Sequence, residues 1–190
     1  YAAYADLEQN RQWTEDLVRS VTQAALGGTE VTVYDKDEQP HTLDFAQPFR
    51  VARFPDLLKE HAGIDMFTIT DADLRSAAER LGIEDVEQKG HATLLDDIYK
   101  KTARPLLIQP TFVFDYPEAL KPLASPKGDG TAECFQLLIA GWEVVNSYGE
   151  LIDPVKQREL FEQQMAAKAA GDEEAMELDE SFLRAMEHGF

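Results

Sequence analysis

GWEVVNSYGELIDPVKQRELFEQQ, residues 141–164, decides the reading of this 190-residue chain. It starts as a strand, yet it carries Glu143, Asn146, Tyr148 and Glu150 where a buried strand needs apolar side chains. It ends in Asp153-Pro154, a capping residue followed by a proline at the first helical position, where the missing N–H costs nothing. A long helix follows. Upstream, FQLLIAGWEVVNSYGEL reads as two strands around a tight turn at Ala140-Gly141. With a two-residue turn, Leu138 faces Glu143 and Gln136 faces Val145. Paired residues share a face and side chains alternate along each strand. Gln136 and Glu143 therefore lie on one face, as diagonal neighbours roughly 7–8 Å apart.

Two oxygen-bearing side chains at that spacing suit a magnesium ion or a polyphosphate–magnesium complex. A solvated outer face is the alternative. Asn146, Tyr148 and Glu150 alternate with one another and form a second set. A carboxylate pairs with an ammonium, an aromatic ring packs on an aliphatic stem, and an amide binds a carboxylate, so the trio suits a small cationic ligand. Strict alternation puts Glu143 on the opposite face from this trio. A single pocket requires a β-bulge or a strong twist between Glu143 and Asn146.

Outward from the hairpin, residues 1–5 alternate as a short strand would. Asp6 caps a helix with Leu7, Trp13, Leu17, Val18, Val21 and Leu26 at helical spacing, which Gly27-Gly28 ends. TEVTVYD and HTLDFA read as a hairpin around DKDEQP. Residues 53–103 read as three helical pieces. These are Phe54 to His61, Asp71 to Leu81 behind the cap Thr70, and His91 to Ala103 before Pro105. LLIQPTFVFDYP is β-rich, and Pro110 marks a sheet edge or a strand start. KPLASPKGDGTAE is a loop. Gly171 closes the helix begun at Asp153, and Asp179 starts a last one to His188; the tract between reads as part of a solvated helix pair. Hairpins with clustered helices give an α+β fold, an antiparallel β-sheet flanked by helices.

Composition sets the class. The hydrophobic fraction is 44% and the charged fraction 28%, ordinary for a globular protein. No apolar run is long enough to span a membrane and YAAYADLEQN has no signal-peptide pattern, so a cytoplasmic location is expected. The single cysteine, Cys134, excludes an intrachain disulfide. A net charge of −18 repels phosphate backbones, so contacts to nucleic acid must be local or lie elsewhere. The abrupt start and end suggest a piece of a longer protein. His41, His61, His91 and His188 have no metal-ligand spacing. Lys127-Gly128-Asp129-Gly130 matches neither the phosphate-loop nor the dinucleotide pattern. Cys134 has no histidine partner suited to nucleophilic catalysis.

The same hairpin stretch resembles a segment of the class II lysyl-tRNA synthetases that usually reads G-R-E-I-x-N-G-F-S-E-L-N-D-P-x-x-Q. PTFVFDYPEALKPLA resembles the family's P-T-F-x-x-x-Y-P-x-x-x-S-P-L-A. AAKAAGDEEAMELDESFLRAMEHGF resembles its helical run ending A-L-E-Y-G-M/L. YAAYAD resembles the end of its second class-defining motif, M-E-L-Y-x-A-Y-A-D. The resemblance spans the chain and is specific from residue 107 onward; residues 50–105 correspond to a helical insertion in a partial catalytic domain, residues 1–190.

The resemblance implies ATP-dependent activation of lysine to lysyl-adenylate and transfer to tRNA(Lys), with Mg2+ and a homodimer in the full-length protein. It implies that Glu150 binds the lysine ε-ammonium with Tyr1, that Tyr148 packs on the stem in place of a phenylalanine, and that Asn146 lies near the carboxylate end. Glu143 is implied as a magnesium-mediated ATP ligand. Three departures stand out: Gln136 replaces a second metal-binding glutamate, Trp142 an arginine, and Cys134 another arginine. The arginines of motifs 2 and 3 that contact ATP lie outside the chain, so the chain alone is expected to be nearly inactive. A ligase paralogue that attaches lysine to a protein, or a non-catalytic lysine-binding module, are the alternatives.

Overall fold

The computed structural model describes residues 2–169, 171 and 177–189; the side chain of residue 167 is outside the description. Tyr1 falls outside it, as does the tract around residues 172–176. The element order begins with helix α1 (Leu7–Leu26), strands β1 (Glu30–Tyr34), β2 (Pro40–Asp44) and β3 (Arg50–Arg53), and helices α2 (Phe54–Ala62), α3 (Asp71–Arg80) and α4 (His91–Thr102). It continues with β4 (Thr111–Phe114), β5 (Cys134–Ile139), β6 (Trp142–Tyr148), α5 (Pro154–Ala169) and α6 (Glu180–Glu187).

Local chemistry sets the helix ends. The Asp6 carboxylate accepts from the Gln9 N–H at 2.7 Å, and Gly27 closes α1 at φ 75°. Thr70 caps α3 and Asp179 caps α6 in the same way, each accepting from the first turn. Asp153 accepts from the N–H groups of Val155 and Lys156 at the start of α5. Residues 2–5 form no strand: Tyr4 has φ 60°, a turn conformation that breaks the apparent alternation.

β1 and β2 form a separate antiparallel pair. The main sheet has the order β3-β4-β5-β6. β4, β5 and β6 are antiparallel neighbours, while β3 joins β4 in parallel, so residues 50–53 are sheet rather than helix and the sheet is mixed. A parallel partner needs a long crossover, and α2, α3 and α4 supply it. Pro110 precedes the first residue of β4, where its missing donor costs no ladder bond.

The two sheet faces carry different cores. Phe112, Phe135 and Leu137 pack with Leu43, Phe45 and Phe49 under the hairpin, with Leu7 and Val18 of α1 against them. Val113, Cys134 and Leu138 face α2, α3 and α4, among Phe54, Leu58, Leu94, Ile98, Tyr99 and Tyr116. Phe135 is fully buried and edge-on to Phe112 at 5.2 Å. Truncating such a ring to alanine costs about 3–5 kcal/mol. Phe161, Leu183 and Met186 join α5 to α6. No helix among the described residues is long and apolar enough to cross a membrane.

Candidate functional site

The β5–β6 turn is built at Ala140 and Gly141, with φ 51° and 74°. Two successive positive φ values match the twist of a two-residue hairpin, and only the glycine adopts one without steric cost. The turn is anchored: Ala140 and Gly141 donate to the carbonyls of Ile108 and Leu107, and Arg104 donates to the Gly141 carbonyl at 2.9 Å.

Leu138 pairs with Glu143, as the two-residue turn requires. The register then shifts. Leu137 pairs with Val145, leaving Val144 without a partner. Gln136 therefore faces Asn146, not Val145, and Cys134 faces Tyr148. This is a β-bulge, one extra residue on one strand. It makes the three-residue step from Glu143 to Asn146 count as two. Glu143, Asn146 and Tyr148 come to one face, with Leu138, Gln136 and Cys134 opposite them. Beyond the strand end, Glu150 forms an isolated bridge to Ala124 and continues the alternation. The position of Tyr1 lies outside the described residues.

The face has a polar floor. The Tyr116 hydroxyl donates to the Gln136 side-chain oxygen at 2.6 Å, and the Tyr99 hydroxyl lies 3.4 Å from that of Tyr116. Burial pushes the Tyr99 phenol up to about 12 and raises that of Tyr116 well above its ordinary value. Burial likewise raises the Cys134 thiol to about 11, with the charge of Lys121 the largest influence opposing it. At the open end, the Asn146 amide donates to the Tyr148 hydroxyl at 2.6 Å. Tyr148 is half-buried, while Glu143, Asn146 and Glu150 are exposed.

β6 is an edge strand of the sheet among the described residues. A cavity of about 720 Å³ runs along it against the first half of α1, lined by Asp6, Asn10, Glu133, Asn146, Tyr148 and Glu150 among others. The Glu133 carboxylate lies over Gly149, where an added Cβ would stand 2.6 Å from it. A second cavity, of about 710 Å³, lies between the start of α4, the segment Pro117–Leu120 and α5.

Several other titratable groups make structural pairs. His41 bonds Asp35 and His91 bonds Asp71. The Lys127 ammonium pairs with Asp115, which also holds Arg53. Among the described residues no three His, Cys, Asp or Glu side chains gather as a metal site. Sequence reasoning does not reach Tyr99, Tyr116 or Lys121, which the face acquires from distant segments. The only local signal is that a lysine and a tyrosine stand five residues apart in YPEALK.

The model for the family described as tRNA synthetases class II (D, K and N) matches residues 1–190. A lysine–tRNA ligase from Aquifex aeolicus (strain VF5) is 45% identical over 193 residues, covering 100% of this chain and 32% of that protein. Lysine–tRNA ligases from Porphyromonas gingivalis (strain ATCC 33277) and Moorella thermoacetica (strain ATCC 39073) are 37% and 40% identical, again over the whole chain. The chain spans about a third of the length of the curated relatives it matches.

Proposed function

This chain belongs to the tRNA synthetases class II (D, K and N), and from that premise we propose that it is the lysine-holding segment of a lysine–tRNA ligase catalytic domain. The whole enzyme activates lysine with ATP and transfers it to tRNA(Lys), acts as a homodimer, and works in the cytoplasm. Residues 50–105 are an insertion within that domain, and the chain by itself has little activity.

The observation that carries this reading is the bulge at Val144, which gathers Glu143, Asn146 and Tyr148 on one face. Glu150 takes the ε-ammonium of lysine. Charge-assisted hydrogen bonds are about twice as strong as neutral ones, so this contact sets specificity. Tyr1 shares that end. The Tyr148 ring packs on the aliphatic stem, and the Asn146 amide keeps one N–H for the carboxylate end while the other holds the Tyr148 hydroxyl. An aspartate or asparagine substrate would leave Glu150 facing an uncharged or like-charged group.

Glu143 takes the metal-bound phosphates of ATP in this reading. Magnesium is commonly held by one or two carboxylates together with substrate phosphates, and an exposed carboxylate fits that use. Gln136 fits less well: its oxygen already accepts from Tyr116 and carries no charge. Glu143 would hold the ion, which supplies charge neutralisation at the phosphates, and Gln136 contributes at most one remaining lone pair.

The test is to titrate lysine into the isotopically labelled chain and map the amide shifts. The reading requires the side-chain amide of Asn146 and the backbone of residues 146–150 to move first. Shifts centred on the cavity between α4 and α5 would overturn it.

A further inference from the structure

Glu150 lies two residues beyond the end of β6, yet a third segment of the chain fixes its backbone. Ala124 bridges Glu150 and Pro126 bridges Ala132, so residues 124–126 meet the ends of both β5 and β6. Three backbones close a ring there. Ser125 donates to the Gly149 carbonyl at 2.7 Å, Gly149 to the Glu133 carbonyl at 2.7 Å, and Glu133 to the Ser125 carbonyl at 2.8 Å. On the other side of Glu150, Leu151 donates to the Leu123 carbonyl at 3.0 Å.

The carbonyl of Glu150 itself is held by a side chain: the Ser125 hydroxyl donates to it at 2.9 Å. Among the described residues this is the only side chain hydrogen-bonded to Glu150, whose carboxylate is left to line the cavity beside β6. Ser125 is in turn set by its own loop. Lys127 donates to the Thr131 carbonyl at 2.8 Å, and the Asp129 carboxylate accepts from the N–H and the hydroxyl of Thr131, which closes the turn between Pro126 and Ala132. Just upstream, the fully buried Gln157 of α5 donates to the Pro122 carbonyl at 2.7 Å. The resemblance assigns no role to Ser125.

We propose that Ser125 is a positioning residue of this site: by holding the Glu150 carbonyl it fixes the carboxylate at one depth, so that the site measures the length of the substrate's side chain as well as its charge. This rests on the lysine-site reading above. A binding group selects sharply only when its own support is fixed. A carboxylate on a loose strand end follows an ammonium on a shorter stem; one whose backbone is tied on both sides does not. Charge alone cannot make that distinction, because lysine and ornithine carry the same ammonium on stems that differ by one methylene. Ser125 acts through Glu150 and touches no substrate atom.

The experiment titrates lysine and ornithine into the parent chain, Ser125→Ala and Ser125→Thr, with thermal unfolding followed alongside. The parent chain prefers lysine by about 10-fold or more, the discrimination that one methylene allows. In Ser125→Ala that preference falls toward unity while the melting temperature stays within a few degrees of the parent. Ser125→Thr, which keeps the hydroxyl, keeps the preference. An unchanged preference in Ser125→Ala overturns the role of Ser125 and leaves the lysine site standing. Loss of cooperative unfolding in that variant overturns it too, because the serine would then be a residue of the fold. Equal binding of the two amino acids by the parent chain overturns the length reading, while a loss of lysine affinity in Glu150→Gln would still uphold the lysine site. No binding of lysine by the parent chain overturns both readings.

Discussion

Asn146 stands directly across the β5–β6 ladder from Gln136, although the distance of each from the turn would place Val145 there. Val144 accounts for the offset. It is the one residue of β6 without a partner, and it lets two sets of side chains that strict alternation would separate share a surface. Because the pairings on either side of it are regular, deleting Val144 leaves Leu138 opposite Glu143 and Gln136 opposite Asn146. The expected result is a folded protein with a melting temperature within a few degrees of the parent, since Val144 is exposed and buries little. Cooperative unfolding lost in the deletion variant would show that the bulge is needed for the fold.

Tyr116→Phe removes the donor to Gln136 and leaves a buried amide oxygen without its partner. The variant should lose about 1–2 kcal/mol of unfolding free energy, measured by urea denaturation. Tyr116→Phe combined with Gln136→Leu should recover part of that loss, because both ends of the bond are then apolar.

The same pair of tyrosines sets a high-pH limit. Tyr99 titrates at about 12 when folded, and Tyr116 is raised as well, against about 10 in the unfolded chain. Between those values the unfolded state has released the proton and the folded state keeps it. Stability is thus unaffected below about pH 10 and falls as pH rises toward 12, by about 1.4 kcal/mol per pH unit for each such tyrosine. Unfolding followed from pH 9 to 11.5 checks this, and Tyr99→Phe should make the decline shallower.

Cys134 should resist thiol reagents. It is fully buried, and burial raises its thiol to about 11, so little thiolate exists at neutral pH. Labelling by a disulfide reagent is expected only at the rate of unfolding. Rapid labelling of the folded protein would mean that the Tyr148 end of the face opens readily.

Much of this architecture is legible in the sequence because its signals are local. Asp6, Thr70 and Asp179 mark helix starts, and Gly27 marks an end, each through a bond made within a few residues. The Ala140-Gly141 turn is local too, and it fixes Leu138 opposite Glu143. β3 is not legible: Arg50–Arg53 has no alternation of its own, and its partner β4 lies some sixty residues on. Its Arg53 finds a carboxylate only at Asp115. The apparent strand at the start of the chain fails because Tyr4 takes a turn conformation that alternation does not reveal. In the candidate site, the need for an irregularity between Glu143 and Asn146 follows from counting, but the partners Tyr99, Tyr116 and Lys121 arrive from other segments. Their contribution is a matter of tertiary packing, to which periodicity is blind.

The central claim is that the β5–β6 face recognises lysine through Glu150. Isothermal titration of lysine into the chain and into Glu150→Gln tests it most directly. The account predicts binding by the parent chain and a loss of about 10-fold to 100-fold in affinity on removing the charge. Equal affinity in the two proteins, or no binding by the parent chain, would contradict it.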